Sequence, residues 1–539
     1  MSPLKRLVSR VLQARRKRGF AAFSDRCHDV QAAQEALLAR LVRRNGHTAL
    51  ARRLGADRVR SLADLRHLPI SDYDSVTPEI EAALAGKPDQ LVAGRPGFFG
   101  MTSGTSGFAK YIPLDEPFRA EFQATVQHFL YGIVRDHPRA LDHKALYLVA
   151  PAVIETTPGG EPAGAITGFN MRRLPRLLRG FYAVPVDAFE IRDPARQLYA
   201  VARFALASEL SIAFAVTPAP LGLIGRAMEQ HTDSLLRDIH DGTLAADGVP
   251  APVHEALTRG LRPDKARARV LAGRIAGGKR PIPRNFFPHL ALIACWHHAG
   301  AASHLAMLRD VWGDVPLRHA IYSATEGWIN VPLSDTDPSG VLAVDSIVLE
   351  LMDASGQTFF PHELQAPGRY EILLTSGAGL WRYRLGDEVE VTGAFQAAAG
   401  TWPDKRAPEL HFVQKTGNVL SIAHDMTSEA HVRKAIAAAL PEVGRWVFGP
   451  DARGDRYRVV IEASAAPVQL GDPATALDAA LQAVNMGYLD FRGDGLIAPL
   501  VLDTRSPAAF DAWETGRRTA AVAQNKPTVF VKAAADLPR

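Results

Sequence analysis

Six consecutive residues, Thr102, Ser103, Gly104, Thr105, Ser106 and Gly107, combine hydroxyl side chains with glycines, and Lys110 follows the last glycine by three residues. Hydroxyls and bare backbone amides are what a loop needs to hold phosphate oxygens, because glycine lets the main chain come close and turn its N–H groups inward. The lysine adds a compact positive charge beside them. The same residue types are also ordinary turn formers, so the segment alone leaves both readings open. It is not a Walker-type phosphate loop, which needs Lys and then Ser or Thr directly after the last glycine.

Two later segments separate the readings. Ile321-Tyr322-Ser323-Ala324-Thr325-Glu326-Gly327 holds a Tyr-x-x-x-Glu turn, and Trp381-Arg382-Tyr383-Arg384-Leu385-Gly386-Asp387 holds Tyr-Arg-x-Gly-Asp. A Ser/Thr/Gly loop followed by these two, in that order, resembles the acyl-adenylate-forming superfamily. The details resemble one branch of it, the Gretchen Hagen 3 auxin-responsive family of acyl acid amido synthetases. Three further stretches are similar to that family: Leu68-Pro69-Ile70-Ser71-Asp72-Tyr73, Gly417-Asn418-Val419-Leu420-Ser421-Ile422 at its hinge, and Gln524-Asn525-Lys526-Pro527 near the end.

The resemblance implies ATP and Mg²⁺ as cofactors and gives the residues their roles. Residues 102–107 would cradle the phosphates, with Ser103, Thr105 and Ser106 as donors. Thr325 would lie at the α-phosphate, with Ser323 in the same ATP-binding set. Glu326 would hold Mg²⁺ through a hard oxygen ligand. Asp387 would accept hydrogen bonds from the ribose hydroxyls, and Tyr322 would stack near the adenine. Arg384 would contact the nucleotide or pair with a neighbouring acid. Lys110 and Lys526 would join Thr325 as catalytic residues by supplying positive charge. The plain alternatives are that Glu326 caps a turn, Asp387 ends a strand and Lys526 is an exposed lysine near a mobile terminus. Two residues depart from the family pattern. Met426, in His424-Asp425-Met426-Thr427, stands where plant-type members carry a lysine, leaving Lys415 or Lys526 as substitutes. Ser-Ala-Thr-Glu replaces a double serine, although Thr325 keeps the hydroxyl.

These groups need a scaffold of several layers. At 539 residues the chain is too long for one ordinary core, so two or more domains are expected. Short apolar runs at 145–149, 212–216 and 290–294 alternate with helical patterns at 219–239 and 300–312, which argues a largely parallel, buried sheet. Residues 28–65 also read as helical, with Leu37, Leu38, Leu41 and Val42 on one face. Closer-spaced strands at 344–351, 368–375 and 387–391 suggest a sheet or barrel appended to that domain. Beyond it, helices at 428–440 and 475–486 alternate with strands at 457–463 and 498–503. The expected fold is α/β. A large N-terminal domain of mostly parallel sheets with a β-rich subdomain spans 1–419, and a small mobile α/β domain spans 420–539.

Hydrophobic content of 47% and charged content of 22% fit a soluble globular protein. Two cysteines far apart in sequence, Cys27 and Cys295, argue against a disulfide framework and fit a reducing compartment. Cys295-Trp296-His297-His298 lacks a partner pair at zinc spacing and reads as the end of a core strand. The basic start of the chain, with Arg15, Arg16, Lys17 and Arg18, reads as a solvated amphipathic helix, ahead of a nucleic-acid arm, a membrane anchor or a transit peptide. Cytoplasmic location is expected, without nucleic acid or stable membrane insertion. The partners are a small carboxylic acid and an amine, with an amino acid first among amines. The expected reaction is adenylation of the acid followed by acyl transfer to the amine. A ligase with a thiol acceptor such as coenzyme A, and a non-catalytic nucleotide-binding regulator, are the alternatives.

Overall fold

The computed structural model describes every residue except 1–2, 104–108, 245–248, 298–304, 365–366, 399–404, 417–418, 424, 464–471, 518–529, 532 and 539. The chain divides into two compact units, Met1–Thr102 with Tyr111–Gln414, and Ser103–Lys110 with Lys415–Arg539.

In the large unit, strands Lys144–Tyr147, Leu210–Phe214, Leu292–Cys295 and Leu317–His319 lie side by side in that order, all parallel. Every residue of Leu292–Cys295 is buried, as a parallel strand covered on both faces requires. Helices Pro218–Gln230 and Leu305–Trp312 pack on this sheet through Ile224, Leu308 and Val311. The single helical pattern read at 219–239 is two helices, because His231 leaves the helical region with φ −110° and ψ 20°. The pattern at 28–65 is likewise broken, into Val30–Asn45, Ala49–Leu54 and Leu62–Arg66. Gly55, at φ +83°, ends the second of these in a left-handed cap, a conformation glycine adopts at little cost. Ser61 then caps the third in a capping box.

A second sheet runs Ala109–Leu114, Phe98–Ser103, Pro162–Gly164, Glu155–Thr156, so Ala109–Leu114 is an edge strand. The β-rich part expected after 341 is a seven-stranded sheet. Its order is Asn330–Pro332, Gly340–Leu342, Pro408–Lys415, Tyr383–Ala394, Gly368–Ser376, Ile347–Met352, Thr358–Phe359. The long strands Ile347–Met352, Gly368–Ser376 and Tyr383–Ala394 pair antiparallel. They bury Leu349, Leu374, Tyr383 and Val389 in the main core.

In the small unit, strands Trp446–Pro450, Tyr457–Glu462 and Val501–Arg505 form one sheet, antiparallel at the first pair and parallel at the second. Helices Glu429–Ala439 and Pro473–Val484 stand where the sequence pattern puts them. Strand Trp446–Pro450 was not foreseen, since five residues ending in Gly-Pro show no alternation. The turn at 422–427 is built around Asp425, which is fully buried. Its carboxylate accepts hydrogen bonds from the Ile422 N–H at 2.7 Å, the Tyr457 phenol at 2.6 Å and the Thr427 hydroxyl. Asn485 Nδ2 donates to the Thr427 hydroxyl oxygen in turn, at 2.9 Å. Gly487 lets the following helix approach, because a Cβ there would lie 2.7 Å from the Asp425 carbonyl oxygen.

Burial pushes the Asp425 carboxyl from its ordinary 3.8 up to about 7, against the opposing pull of its hydrogen-bond donors. Between those values the folded state holds a proton that the unfolded state releases, so the Asp425 contribution weakens stability as pH rises through that window. Asp425→Asn should flatten the fall. Denaturant midpoints of the small unit's transition at pH 5 and pH 7.5 would test it, and an undiminished fall in the mutant would refute the assignment.

Candidate active site

The Tyr-x-x-x-Glu motif folds as a tight hairpin. Ala324 pairs with Gly327 and Ser323 with Trp328, so Thr325 and Glu326 form its two-residue loop. Tyr322, just before it, is buried, and Asn330 fastens its backbone. The Tyr322 N–H donates to Asn330 Oδ1 at 2.9 Å, and Asn330 Nδ2 donates to the Leu410 carbonyl at 2.7 Å. Thr325 lies against strand Phe98–Ser103 where that strand has a glycine. A Cβ on Gly100 would sit 2.4 Å from Thr325 Cγ2, so only glycine admits the threonine there.

The second motif contains a β-bulge. Strand register passes from Glu371 opposite Glu388 to Leu373 opposite Arg384, so Leu385, Gly386 and Asp387 together face Ile372. Gly386 takes φ +74°. Bulges bend a strand and re-aim a side chain, and here the carboxylate of Asp387 turns into the buried interior, 3% exposed. There it accepts a hydrogen bond from the Tyr322 phenol at 2.5 Å. Burial first, and then the charge of Asp387, push the Tyr322 phenol far above its usual pKa, so it stays a neutral donor. Tyr383, on the same strand as Asp387, directs its phenol to Glu326 Oε1 at 3.5 Å. Burial and then Glu326 raise its pKa as well. The structure therefore brings Tyr322, Thr325, Glu326 and Asp387 into one neighbourhood.

Arg382 holds this arrangement in place. Its buried guanidinium forks onto the buried carboxylate of Glu350, with Nε at 2.9 Å from Oε1 and Nη2 at 2.7 Å from Oε2. Nη1 donates to the Arg66 and Leu68 carbonyls, both at 2.6 Å. Ser71 continues the tie. Its hydroxyl donates to the Trp381 carbonyl at 2.8 Å, its N–H to the Arg382 carbonyl at 3.1 Å, and its own carbonyl accepts the Arg384 N–H at 2.7 Å.

The remaining candidates are placed less centrally. Arg384 is half-exposed and pairs fork to fork with Glu371, both bonds 2.7 Å. Ser323 is exposed on the hairpin. Thr102 and Ser103 end strand Phe98–Ser103, and Lys110 lies partly buried in Ala109–Leu114. Gly104, Thr105, Ser106, Gly107 and Lys526 lie outside the described residues. Sequence reasoning missed Glu350 and Asn330, and quoted Arg382 within a motif without giving it a role. It quoted Ser71 and Tyr73 only as part of a similar stretch.

Beside Tyr322 the rings of Trp296, Tyr322 and Phe412 stand 5.5 to 5.8 Å apart, centroid to centroid. With His319, Asn330 and His411 they line a small cleft.

Three family descriptions match this chain. The GH3 family N-terminal domain covers residues 19–317, the GH3 family central domain 344–415 and the GH3 family C-terminal domain 430–535. A probable indole-3-acetic acid-amido synthetase GH3.2 of Oryza sativa subsp. japonica is 26% identical over 445 residues, 76% of this chain and 70% of that protein. The jasmonoyl–L-amino acid synthetase JAR4 of Nicotiana attenuata is 26% identical over 75% of this chain and 73% of its own length. Among solved structures, the AtGH3.15 acyl acid amido synthetase in complex with 2,4-DB shares the fold with a TM-score of 0.65. Its identity is 19%, over 96% of this chain and 94% of that one. A 2-hydroxyisobutyryl-CoA ligase in complex with 2-HIB-AMP and CoA shares it with a TM-score of 0.52 at 13% identity, over 94% and 91% of the two chains. With all three domain descriptions matched in order, and with the motif residues meeting as described, the chain belongs to the GH3 family.

Proposed function

We propose that this protein is an ATP-dependent acyl acid amido synthetase, which adenylates a carboxylic acid and passes the acyl group to an amine, first of all an amino acid. The observation that carries the reading is the meeting of Asp387 with Tyr322 and of Glu326 with Tyr383, beside a threonine seated on Gly100. The names of its amido synthetase relatives support the acceptor.

A carboxylate is a poor acyl donor, because its leaving group would be oxide. In the first step a carboxylate oxygen attacks the α-phosphorus of ATP and pyrophosphate leaves. In the second, the amine nitrogen attacks the acyl carbon, AMP leaves and the nitrogen sheds a proton. Asp387 would accept from the ribose hydroxyls while the Tyr322 phenol holds its carboxylate, and Thr325 would face the α-phosphate. Such positioning converts an encounter into an oriented reaction. Glu326 fits Mg²⁺: it is a buried carboxylate in a hairpin loop, and this ion binds through one or two carboxylates plus substrate phosphates. When bound, Mg²⁺ would offset phosphate charge. Lys110 and Lys526 are the cations proposed to stabilise the charge that builds in the first step.

We assign residues 1–419 as the adenylate-forming N-terminal domain and 420–539, which carries Lys526, as a separate small domain. The cytoplasm is the proposed compartment. Both cysteines are buried free thiols, and burial raises the pKa of each. Among the described residues no helix is long and apolar enough to cross a membrane.

Carboxylate-dependent ATP–pyrophosphate exchange over a panel of acids tests the first step. Acyl-AMP offered amino acids and coenzyme A in parallel tests the second, with products read by mass spectrometry. Amides support the proposal, thioester alone overturns the acceptor, and no exchange with any acid favours the non-catalytic reading. Asp387→Asn should weaken ATP-analogue binding by about 1.5–3 kcal/mol, the range for hydrogen bonds to charged groups; unchanged calorimetric affinity in a folded mutant would remove Asp387 from the site. Glu326→Gln should suppress exchange chiefly at limiting Mg²⁺ and recover in part as the ion is raised. Equal activity at every Mg²⁺ concentration would make Glu326 structural.

A further inference from the structure

Tyr73 is the first residue of helix Tyr73–Leu84, whose start is fixed by a capping box between Asp72 and Ser75. The cap sets the direction of the tyrosine, and its phenol oxygen accepts the Tyr111 backbone N–H at 2.9 Å. Tyr111 lies in Ala109–Leu114, the edge strand that leaves the Ser/Thr/Gly segment. On such a strand the N–H groups alternate between the neighbouring strand and the open side. Tyr111 faces its N–H to Tyr73 on the open side, and the next residue of the same orientation is Pro113, which has no N–H to offer. The sequence has thus left Tyr73 a main-chain partner at Tyr111 and removed the next one.

The neighbours of Tyr73 in sequence hold the other nucleotide motif. Ser71 bonds the backbone of Trp381, Arg382 and Arg384, at the start of the strand that carries Tyr383 and Asp387. Three residues, Ser71 to Tyr73, therefore fasten that strand on one side and the exit strand of the Ser/Thr/Gly segment on the other. Burial raises the pKa of the Tyr73 phenol, against the pull of the Tyr111 N–H that it accepts.

We infer that Tyr73 is a positioning residue for adenylate formation: its phenol oxygen fixes the Tyr111 backbone, and with it the exit of the phosphate segment, in register with the strand bearing Asp387. The inference rests on the synthetase reading above. A tyrosine that merely fills space would be replaced by phenylalanine without loss, whereas an acceptor for a main-chain N–H would not.

Tyr73→Phe keeps the ring and deletes only the oxygen. In the exchange assay the KM for ATP should rise about fivefold, the effect of one lost hydrogen bond, while kcat at saturating ATP stays within about twofold. The Tyr111 amide, followed by hydrogen exchange in the full chain, should exchange faster. Tyr111→Pro removes the donor from the other side, a substitution that an edge strand tolerates when its N–H faces outward; it also deletes the phenol that donates to Glu155, so its effect is read relative to Tyr111→Phe. It should raise the KM for ATP similarly. The double mutant should then be little worse than either single one, as for two partners in one contact. An unchanged KM in Tyr73→Phe, or additive losses in the double mutant, would overturn the inference. A wild type with no exchange activity would overturn the synthetase reading and the positioning role together. An unchanged Tyr111 amide in Tyr73→Phe would overturn the anchoring whatever the assay shows.

Discussion

The buried fork of Arg382 on Glu350 is the constraint that the rest of the site depends on. Arg382 sits at φ +45°, in the left-handed region, one residue before the strand that carries Tyr383 and Asp387. A side chain there costs about 1–3 kcal/mol and persists only where the surroundings over-determine it. The surroundings do so, because the guanidinium is bonded to Glu350, Thr358 and two carbonyls, and the Arg382 N–H to the Thr375 hydroxyl. A lysine has neither the planar fork nor enough donors to replace it. Removing one partner would leave a buried charge alone, at a cost of about 3–5 kcal/mol. The pair therefore holds as a unit, and the direction in which the strand sets out is fixed with it.

From that start four carboxylates around the strand fall into two pairs. Glu350 and Glu371 are taken by arginines, Arg382 and Arg384, and tie strands together. Asp387 and Glu326 receive phenols, from Tyr322 and Tyr383. Among the described residues no Lys, Arg or His lies within ion-pair distance of Glu326. A neutral phenol orients a carboxylate and partly offsets its desolvation without cancelling its charge. That suits the metal-binding role proposed for Glu326. The raised phenol pKa values follow from the same geometry, since each ring is buried beside a negative charge.

The motifs were legible because their chemistry is local. Each motif is confined to a few residues, Tyr322–Gly327 at the hairpin and Tyr383–Asp387 at the bulge, so its likeness to a known family can be read from a short stretch. The strand read at 387–391 begins earlier, at Tyr383, because three bulged residues break the alternation that marks a strand. The supports were not legible. Ser71 meets Trp381 across 310 positions and Gln34 bonds the Ile347 carbonyl across 313, and no periodicity records such pairs. The helical reading of 28–65 carried too far for a related reason. Its apolar spacing survives the breaks, and only Gly55 and the cap at Ser61 reveal them.

Met426 stands in a turn whose shape is set by its neighbours. It has φ +53°, and Ala423 nearby φ +54°, so the turn runs through two left-handed residues. Neither is glycine, and each carries a conformational cost. The cost is offset by Asp425, whose carboxylate gathers the Ile422 N–H, the Thr427 hydroxyl and the Tyr457 phenol. None of these bonds involves the side chain at 426. The backbone of the turn is thus specified by its neighbours, and the identity of residue 426 is free to change the chemistry offered there while the shape is kept.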